Sequence, residues 1–262
     1  MPIGNVDIHC HILPGLDDGA PTPEISLGMA RMAAEDGTTH LVATPHANFQ
    51  FTYEPARIAA LRAELQAAIG DQLQLLVGCD FHLSYENVLD AIAYPRKYSV
   101  NGGRYLLVEF AETFNIDVME TVLCQLRDAG LLPVLTHPER NPIFQQHPDL
   151  ASRYIALGCV VQVTASSLTG DFGKQAARSA ADLLDRDLIH VLASDGHSTR
   201  HRLPRLSQGA QVVADRKGEA VARALVSENP AAIIADQPLP YRPKGIALPA
   251  RKKSLWASLR RG

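Results

Sequence analysis

No apolar run in this 262-residue chain approaches the ~18 consecutive residues that a membrane-spanning helix needs, although 46% of its residues are hydrophobic. That apolar content is enough for one large buried core. A strong charge of either sign is also missing. The formal net charge is -3, which argues against a nucleic-acid binder. The opening stretch "MPIGNVDIH" lacks the charged, apolar and small-residue regions of a secretory signal, so a cytoplasmic location is expected. Cysteine is scarce, at Cys10, Cys79, Cys124 and Cys159, and no two of them form a CxxC of redox or zinc-ribbon type. A cysteine-based phosphatase needs Cys-x5-Arg, but the corresponding positions hold Leu16, Tyr85, Gly130 and Ala165. That chemistry is excluded at every cysteine, and reduced, buried thiols are expected instead.

What is present is alternation. Seven apolar, β-branched-rich runs read as strands: "NVDIH", "HLVATPH", "LQLLVG", "YLLVEF", "LPVLTH", "CVVQVT" and "IHVLASD". Helical patterns lie between and after them. One opens at Thr22, a plausible cap, with Pro23 and Glu24 in its first turn, and stops at Gly37; another ends at Gly70. The segment from Phe81 to Asn101 is less regular and reads as a loop with a short helix near the site. Strand-helix alternation without linker or repeat predicts one α/β domain over residues 1–240. Near-continuous apolar strands fit a parallel sheet covered on both faces. A closed or nearly closed barrel of about seven strands is the first expectation and an open doubly wound sheet the second. Residues 241–262 read as a proline-containing, basic tail.

The polar residues fall at the ends of these runs. His9 and His11 end the first, His46 the second, Asp80 the third and Glu109 the fourth. His137 ends the fifth, and Asp195 and His197 end the seventh. In a parallel α/β barrel the C-terminal strand ends open on one face, where active sites are built. Positions i and i+2 on a strand point the same way, so His9 and His11 can pinch one ion. Asp17 and Asp18 follow in the next loop, within reach of a neighbouring ion. Mixed imidazole and carboxylate donors suit Mn, Fe or Zn better than Ca or Mg. So many donors suit two or three ions rather than one. Arg140 and Arg202 lie close by in sequence, and arginine forks bind phosphate oxygens in bidentate fashion.

The motifs "DIHCHILPGLDDGAPTPEISLGMARMAAEDGTTHLVATPH", "LLVEF", "THPERN" and "ASDGH" resemble the PHP superfamily. They are most similar to the manganese-dependent protein-tyrosine phosphatases of bacterial capsule and exopolysaccharide operons (the CpsB/CapC type). The resemblance runs from about Val6 to Gln237. It implies a distorted seven-stranded (β/α) barrel of PHP type with three divalent ions, Mn2+ first and Fe or Zn as alternatives, at the strand ends. By motif position it implies His9, His11, Asp80 and Asp195 around one ion. Asp80, Glu109 and His137 would surround a second, and Asp18, His46 and His197 a third. It implies phosphate contacts for Arg140 and Arg202. It further implies a phosphotyrosine protein substrate, a bacterial tyrosine kinase of polysaccharide export. One position departs from the pattern: Asp80, in "GCDFH", stands where many relatives carry Glu. His82, two residues on, would point the same way on a strand and would support the ligands or face substrate.

These residues predict a metal-activated water attacking phosphorus, with the arginines holding phosphoryl oxygens. A phenolate is a comparatively good leaving group, so no strong protein acid is demanded. His201 is either a proton donor or a solvated loop histidine. Two other readings keep the ligands: a phosphoesterase for a small molecule such as histidinol phosphate, and a non-catalytic metal-binding module. In the tail, basic residues around Leu255, Trp256 and Leu259 would meet an anionic membrane or an acidic partner, at ~1 kcal/mol per basic residue near such a surface. The rival reading of the tail is a solvated end.

Overall fold

The computed structural model describes residues 4–244. The basic cluster of the tail lies outside them. Nine strands occur among the described residues: β1 Asn5–Cys10, β2 Thr38–Ala43, β3 His46–Ala47, β4 Gln74–Val77, β5 Asp80–His82, β6 Tyr105–Glu109, β7 Leu132–Thr136, β8 Val160–Thr164 and β9 Val191–Ala193. The helices are α1 Pro23–Glu35, α2 Pro55–Ile69, α3 Tyr85–Ala93, α4 Ile116–Asp128, α5 Pro142–Gln146, α6 Leu150–Ala156, α7 Ala165–Thr169, α8 Gly173–Asp185, α9 Ser207–Lys217, α10 Glu219–Arg223 and α11 Asn229–Ile234. No described helix is long and apolar enough to cross a membrane. The expected helix signals act where they were read. The Thr22 hydroxyl accepts from the Ile25 amide, and α2 stops at Gly70 with φ of 62°, a left-handed conformation that glycine adopts freely.

All strand pairs are parallel. They form two sheets, of order β1-β2-β4 and β3-β5-β6-β7-β8-β9. The sequence suggested one strand in each of seven runs, but two runs are each broken in two. β2 and β3 are separated at Thr44–Pro45, where proline has no amide to donate, and β4 and β5 at Gly78–Cys79. The breaks stay stitched: the Gly78 amide donates to the Ala43 carbonyl and the Asp80 amide to the Pro45 carbonyl. At the other edge, Cys10 bridges Gly196 in parallel fashion, and the Asp195 amide donates to the His9 carbonyl.

Strand parity sorts the core. Tyr105 and Leu107 of β6, Val134 of β7, Val160 of β8, and Val191 and Ala193 of β9 join Val6, Ile8 and Val42 in one buried cluster. Their neighbours Leu106, Val108, Leu135, Val161, Val163 and Leu192 belong to another, which also contains residues of α4, α6 and α8. The period-2 alternation continues past the apolar residues. The parity of Leu107 carries Glu109, that of Val160 carries Gln162, and that of Val42 carries Thr44 and His46.

The cysteine expectation needs one correction. Cys10, Cys79 and Cys159 are buried and free, but Cys124 is exposed, because it lies on the outward side of α4, whose buried residues are Leu123 and Leu126.

Below β8 and β9, His190 is buried. Its Nδ1 faces the Val161 amide, and its carbonyl accepts from Asn229. Burial first, with Arg242 adding to it, pushes the imidazole down from 6.5 to about 4. The unfolded chain therefore binds this proton at a higher pH than the folded one does. The associated stability is fully present above pH 6.5 and is lost as pH falls toward 4, with a ceiling of about 3 kcal/mol. Urea unfolding of His190→Gln across this window should show a shallower loss than wild type. An identical pH slope would refute the assignment.

Candidate metal centre

The strand ends converge. His9 and His11 leave β1 on the same side, and their Nε2 atoms lie 3.2 Å apart. Asp80 Oδ2 lies 3.4 Å from His9 Nε2, 3.4 Å from His46 Nδ1, and 3.9 Å from both His11 Nε2 and His137 Nε2. Asp195 Oδ1 lies 3.4 Å from His9 Nε2 and 3.5 Å from His11 Nε2. Asp18 Oδ1 is 3.4 Å from both His46 Nε2 and His197 Nε2. Glu109 reaches His46 Nδ1 at 3.6 Å and His137 Nε2 at 3.9 Å. Three groups have donor atoms close enough to share an ion: His11, Asp18, His46 and His197; His9, His11 and Asp80; and His46, Asp80 and Glu109. His11 and His46 each serve two of these groups, and Asp195 Oδ1 and His137 Nε2 lie within 3.4–3.9 Å of donors in them.

Two observations test whether cations fit here. Most separations of 3.4–3.9 Å are too long for good hydrogen bonds. They approach the ~3.0–3.4 Å between donors that each lie about 2.1 Å from one ion. Accordingly Asp80 Oδ2, Asp195 Oδ1, His46 Nδ1 and His197 Nε2 are buried without a hydrogen-bond partner. Second, three imidazoles are anchored through the nitrogen that faces away. His9 Nδ1 meets Gln162 Oε1 at 2.9 Å, His11 Nδ1 meets Asp17 Oδ2 at 2.8 Å, and His197 Nδ1 meets the Asp195 carbonyl at 2.9 Å. An Nδ1–H held this way leaves Nε2 as a lone-pair donor, the arrangement typical of metal-ligating histidine. The donor set fits divalent cations.

Asp17 therefore does a different job from the one first considered. It orients His11, and it also accepts from the His46 and Gly19 amides, so its oxygens are taken up by donors. Gly19 closes this loop so tightly that a Cβ would overlap the His11 carbonyl. His82 follows Asp80 on β5 but joins none of the three groups. Its Nδ1 is buried and unpartnered, and burial lowers its pKa. His201 is an exposed loop residue.

Electrostatics separates the acids. Burial works against the Asp80 carboxylate, yet His9, His137 and His46 around it hold its pKa well below the usual range. Asp195 is likewise buried and likewise lowered, by Arg140, His9, His11 and Arg202. Glu109 goes the other way, pushed up to about 7 by burial and then by the charge of Asp80. Burial, and then Arg140, drives His137 down to about 4, which leaves it neutral at ordinary pH.

Arg140 and Arg202 reach the cluster together. Each places Nη2 on Asp195 Oδ2, at 2.5 and 2.7 Å. Arg140 is carried by a turn that Glu139 fixes: the buried Glu139 carboxylate accepts from the Ser167 hydroxyl and the Thr164 amide. His137, Asp195 and Arg202 all have positive φ, at 35°, 50° and 52°, a conformation of the kind that clusters at functional sites. The guanidinium carbons of Arg140 and Arg202 lie 4.5 and 5.9 Å from the centroid of Phe172.

Gln162, Asp17's orienting role, Glu139 and Phe172 were missed by the sequence reading. Gln162 had a signal, as the one amide side chain in the apolar "CVVQVT". Glu139 and Phe172 had none, because their partners are remote in sequence.

Fold and site together define an α/β protein of parallel sheets with a candidate metal centre at its strand ends. The chain belongs to the CpsB/CapC family of capsular polysaccharide synthesis, whose model matches residues 5–235. It is 35% identical over 201 residues to the tyrosine-protein phosphatase YwqE of Bacillus subtilis, covering 75% of this chain and 79% of that one. It is 27% identical over 241 residues to the tyrosine-protein phosphatase CpsB of Streptococcus pneumoniae, covering 88% and 99%. The structure superposes with a TM-score of 0.83 and 31% identity on a chain from the crystal structures of YwqE and CpsB, which are metal-dependent tyrosine phosphatases. That match covers 93% of this chain and 100% of that one.

If Asp17 and Gln162 act by orienting ligands, Asp17→Asn and Gln162→Leu should each weaken Mn2+ binding about 10- to 100-fold, as read by competition with a chelating dye. Unchanged affinity in both would refute that role.

Proposed function

We propose that this protein is a metal-dependent tyrosine phosphatase acting on a phosphotyrosine protein, a bacterial tyrosine kinase of capsule or exopolysaccharide synthesis. The observation that carries the reading is the set of anchored imidazoles, with the free nitrogens of His9 and His11 turned toward the buried, unpartnered Asp80 Oδ2 and Asp195 Oδ1 and that of His197 toward Asp18. Three ions, Mn2+ first, would be held by His9, His11, Asp18, His46, Asp80, Glu109, His137, Asp195 and His197. The two stitched sheets are read as one distorted seven-stranded barrel, in a single domain over residues 1–240. Unpaired cysteines suit work in the cytoplasm.

Bound divalent ions supply Lewis acidity, which activates water and offsets phosphoryl charge. This chain's own residues do the rest. Arg140 and Arg202 each place one nitrogen on Asp195, and Arg202 Nη1 lies a longer 3.9 Å from Asp18 Oδ2; the other donors of the two forks serve phosphoryl oxygens. Arg202 Nε is buried and unpartnered, a donor available to such an oxygen. The forks are already oriented, so little reorganisation is needed as charge builds on phosphorus. Asp17 and Gln162 keep His11 and His9 in one tautomer throughout.

His11→Ala and His137→Ala should each lower kcat/KM on p-nitrophenyl phosphate and on a phosphotyrosine peptide by at least about 100-fold, and chelation should abolish turnover. Near-normal activity in either variant, or in chelated protein, overturns the reading. A strong preference for histidinol phosphate over the peptide would favour the small-molecule alternative. Arg140→Lys should cost about 10²- to 10³-fold in kcat; an unchanged kcat removes Arg140 from the mechanism.

A further inference from the structure

We propose that Phe172 is the specificity residue of this site, a ring platform that receives the aromatic ring of an aryl phosphate. The inference rests on the phosphatase reading above and goes beyond it. Phe172 precedes α8 and occupies its N-cap position, where no side chain caps the helix. Ser, Asp or Asn would serve the helix better there. An aromatic residue at a helix cap breaks a local rule, and such breaks concentrate where function sets the choice.

The surroundings fix the ring. The turn before it is closed by the Gly173 amide donating to Gly170 and the Asp171 amide donating to Ser166. The Arg140 guanidinium lies 4.5 Å from the ring centroid, within cation–π range, and that of Arg202 lies at 5.9 Å. The ring stays partly exposed. A phosphoryl group held by both forks thus has an aromatic face beside it, one ester bond from the substituent it carries. Across the cluster, Phe51 stacks nearly parallel on His46, at an angle of 13° and a centroid distance of 6.0 Å. The arginines thus have one aromatic ring beside them, in Phe172, and His46 has another, in Phe51. An aliphatic phosphoester carries no ring to match them.

The test uses metal-loaded protein and two non-hydrolysable anions, phenylphosphonate and methylphosphonate, titrated by calorimetry. Wild type should prefer the phenyl compound. Phe172→Leu keeps apolar bulk over the arginines but removes the π face. It should weaken phenylphosphonate about three- to tenfold, leave methylphosphonate unchanged, and raise KM for a phosphotyrosine peptide with kcat retained. Phe172→Tyr should restore the preference. The proposal is overturned if wild type shows no aryl preference or if Phe172→Leu keeps it. Equal weakening of both anions also overturns it, since the ring would then only steady the arginines. Failure of the phosphatase reading looks different: wild type hydrolyses no phosphotyrosine peptide, whatever the phosphonates do.

Discussion

Buried negative charge is the constraint on which the rest of this structure depends. Asp80 and Asp195 have side chains only 1% exposed, and removing an ionised carboxylate from water costs several kcal/mol unless a partner offsets it. The two acids meet that demand differently. Asp195 has two guanidinium groups on one oxygen. Asp80 has a weak hydroxyl contact from Thr136 on Oδ1, and on Oδ2 only imidazoles at 3.4–3.9 Å, none close enough to bond well. Asp80 is therefore where a cation is needed most. Glu109, pushed up to about 7 beside it, takes a proton where a cation would otherwise serve. Cation binding at such a cluster displaces protons and stabilises the fold at once.

The scaffold assembles these donors with ordinary strand geometry. The alternation that sends Leu107, Val134 and Val191 into one cluster brings the next polar residue of the same parity to the strand end. The breaks at Pro45 and Gly78 redirect two runs without losing that parity, so His46 and Asp80 still arrive beside each other as register partners of β3 and β5. Where alternation does not suffice, the backbone bends. His137 and Asp195 both adopt positive φ, which β-branched residues would resist strongly. The polar anchors Gln162, Asp17 and the Asp195 carbonyl then fix ring orientation, which strand geometry alone does not set.

This division explains what could be read from the sequence. Seven apolar runs, six of them ending in His, Asp or Glu, were visible because strand patterning and donor type are local properties. Helix limits at Thr22, Gly37 and Gly70 were visible for the same reason. The breaks within two runs were not, because an apolar string with proline or glycine in it is compatible with one strand or two. Nor was the sharing of His11 and His46 between neighbouring donor groups, since it depends on which side chains meet across strands. Asp17 and Asp18 are chemically identical in sequence. Only the Gly19 turn and the His46 amide make one an anchor and leave the other facing the imidazoles.

Asp195 joins the two halves of the site, and this has a consequence for dissecting it. One oxygen faces His9 and His11, and the other holds both arginines. A change at Asp195 therefore alters the donor cluster and releases both forks, and its effect is not the sum of a ligand loss and an arginine loss. The arginines carry the converse coupling. With either removed, the charge on Asp195 Oδ2 is less offset, and the demand for a cation on Oδ1 rises. An arginine variant can thus hold its ions more tightly while handling phosphate worse. Metal affinity and turnover then move in opposite directions, because one carboxylate serves both tasks.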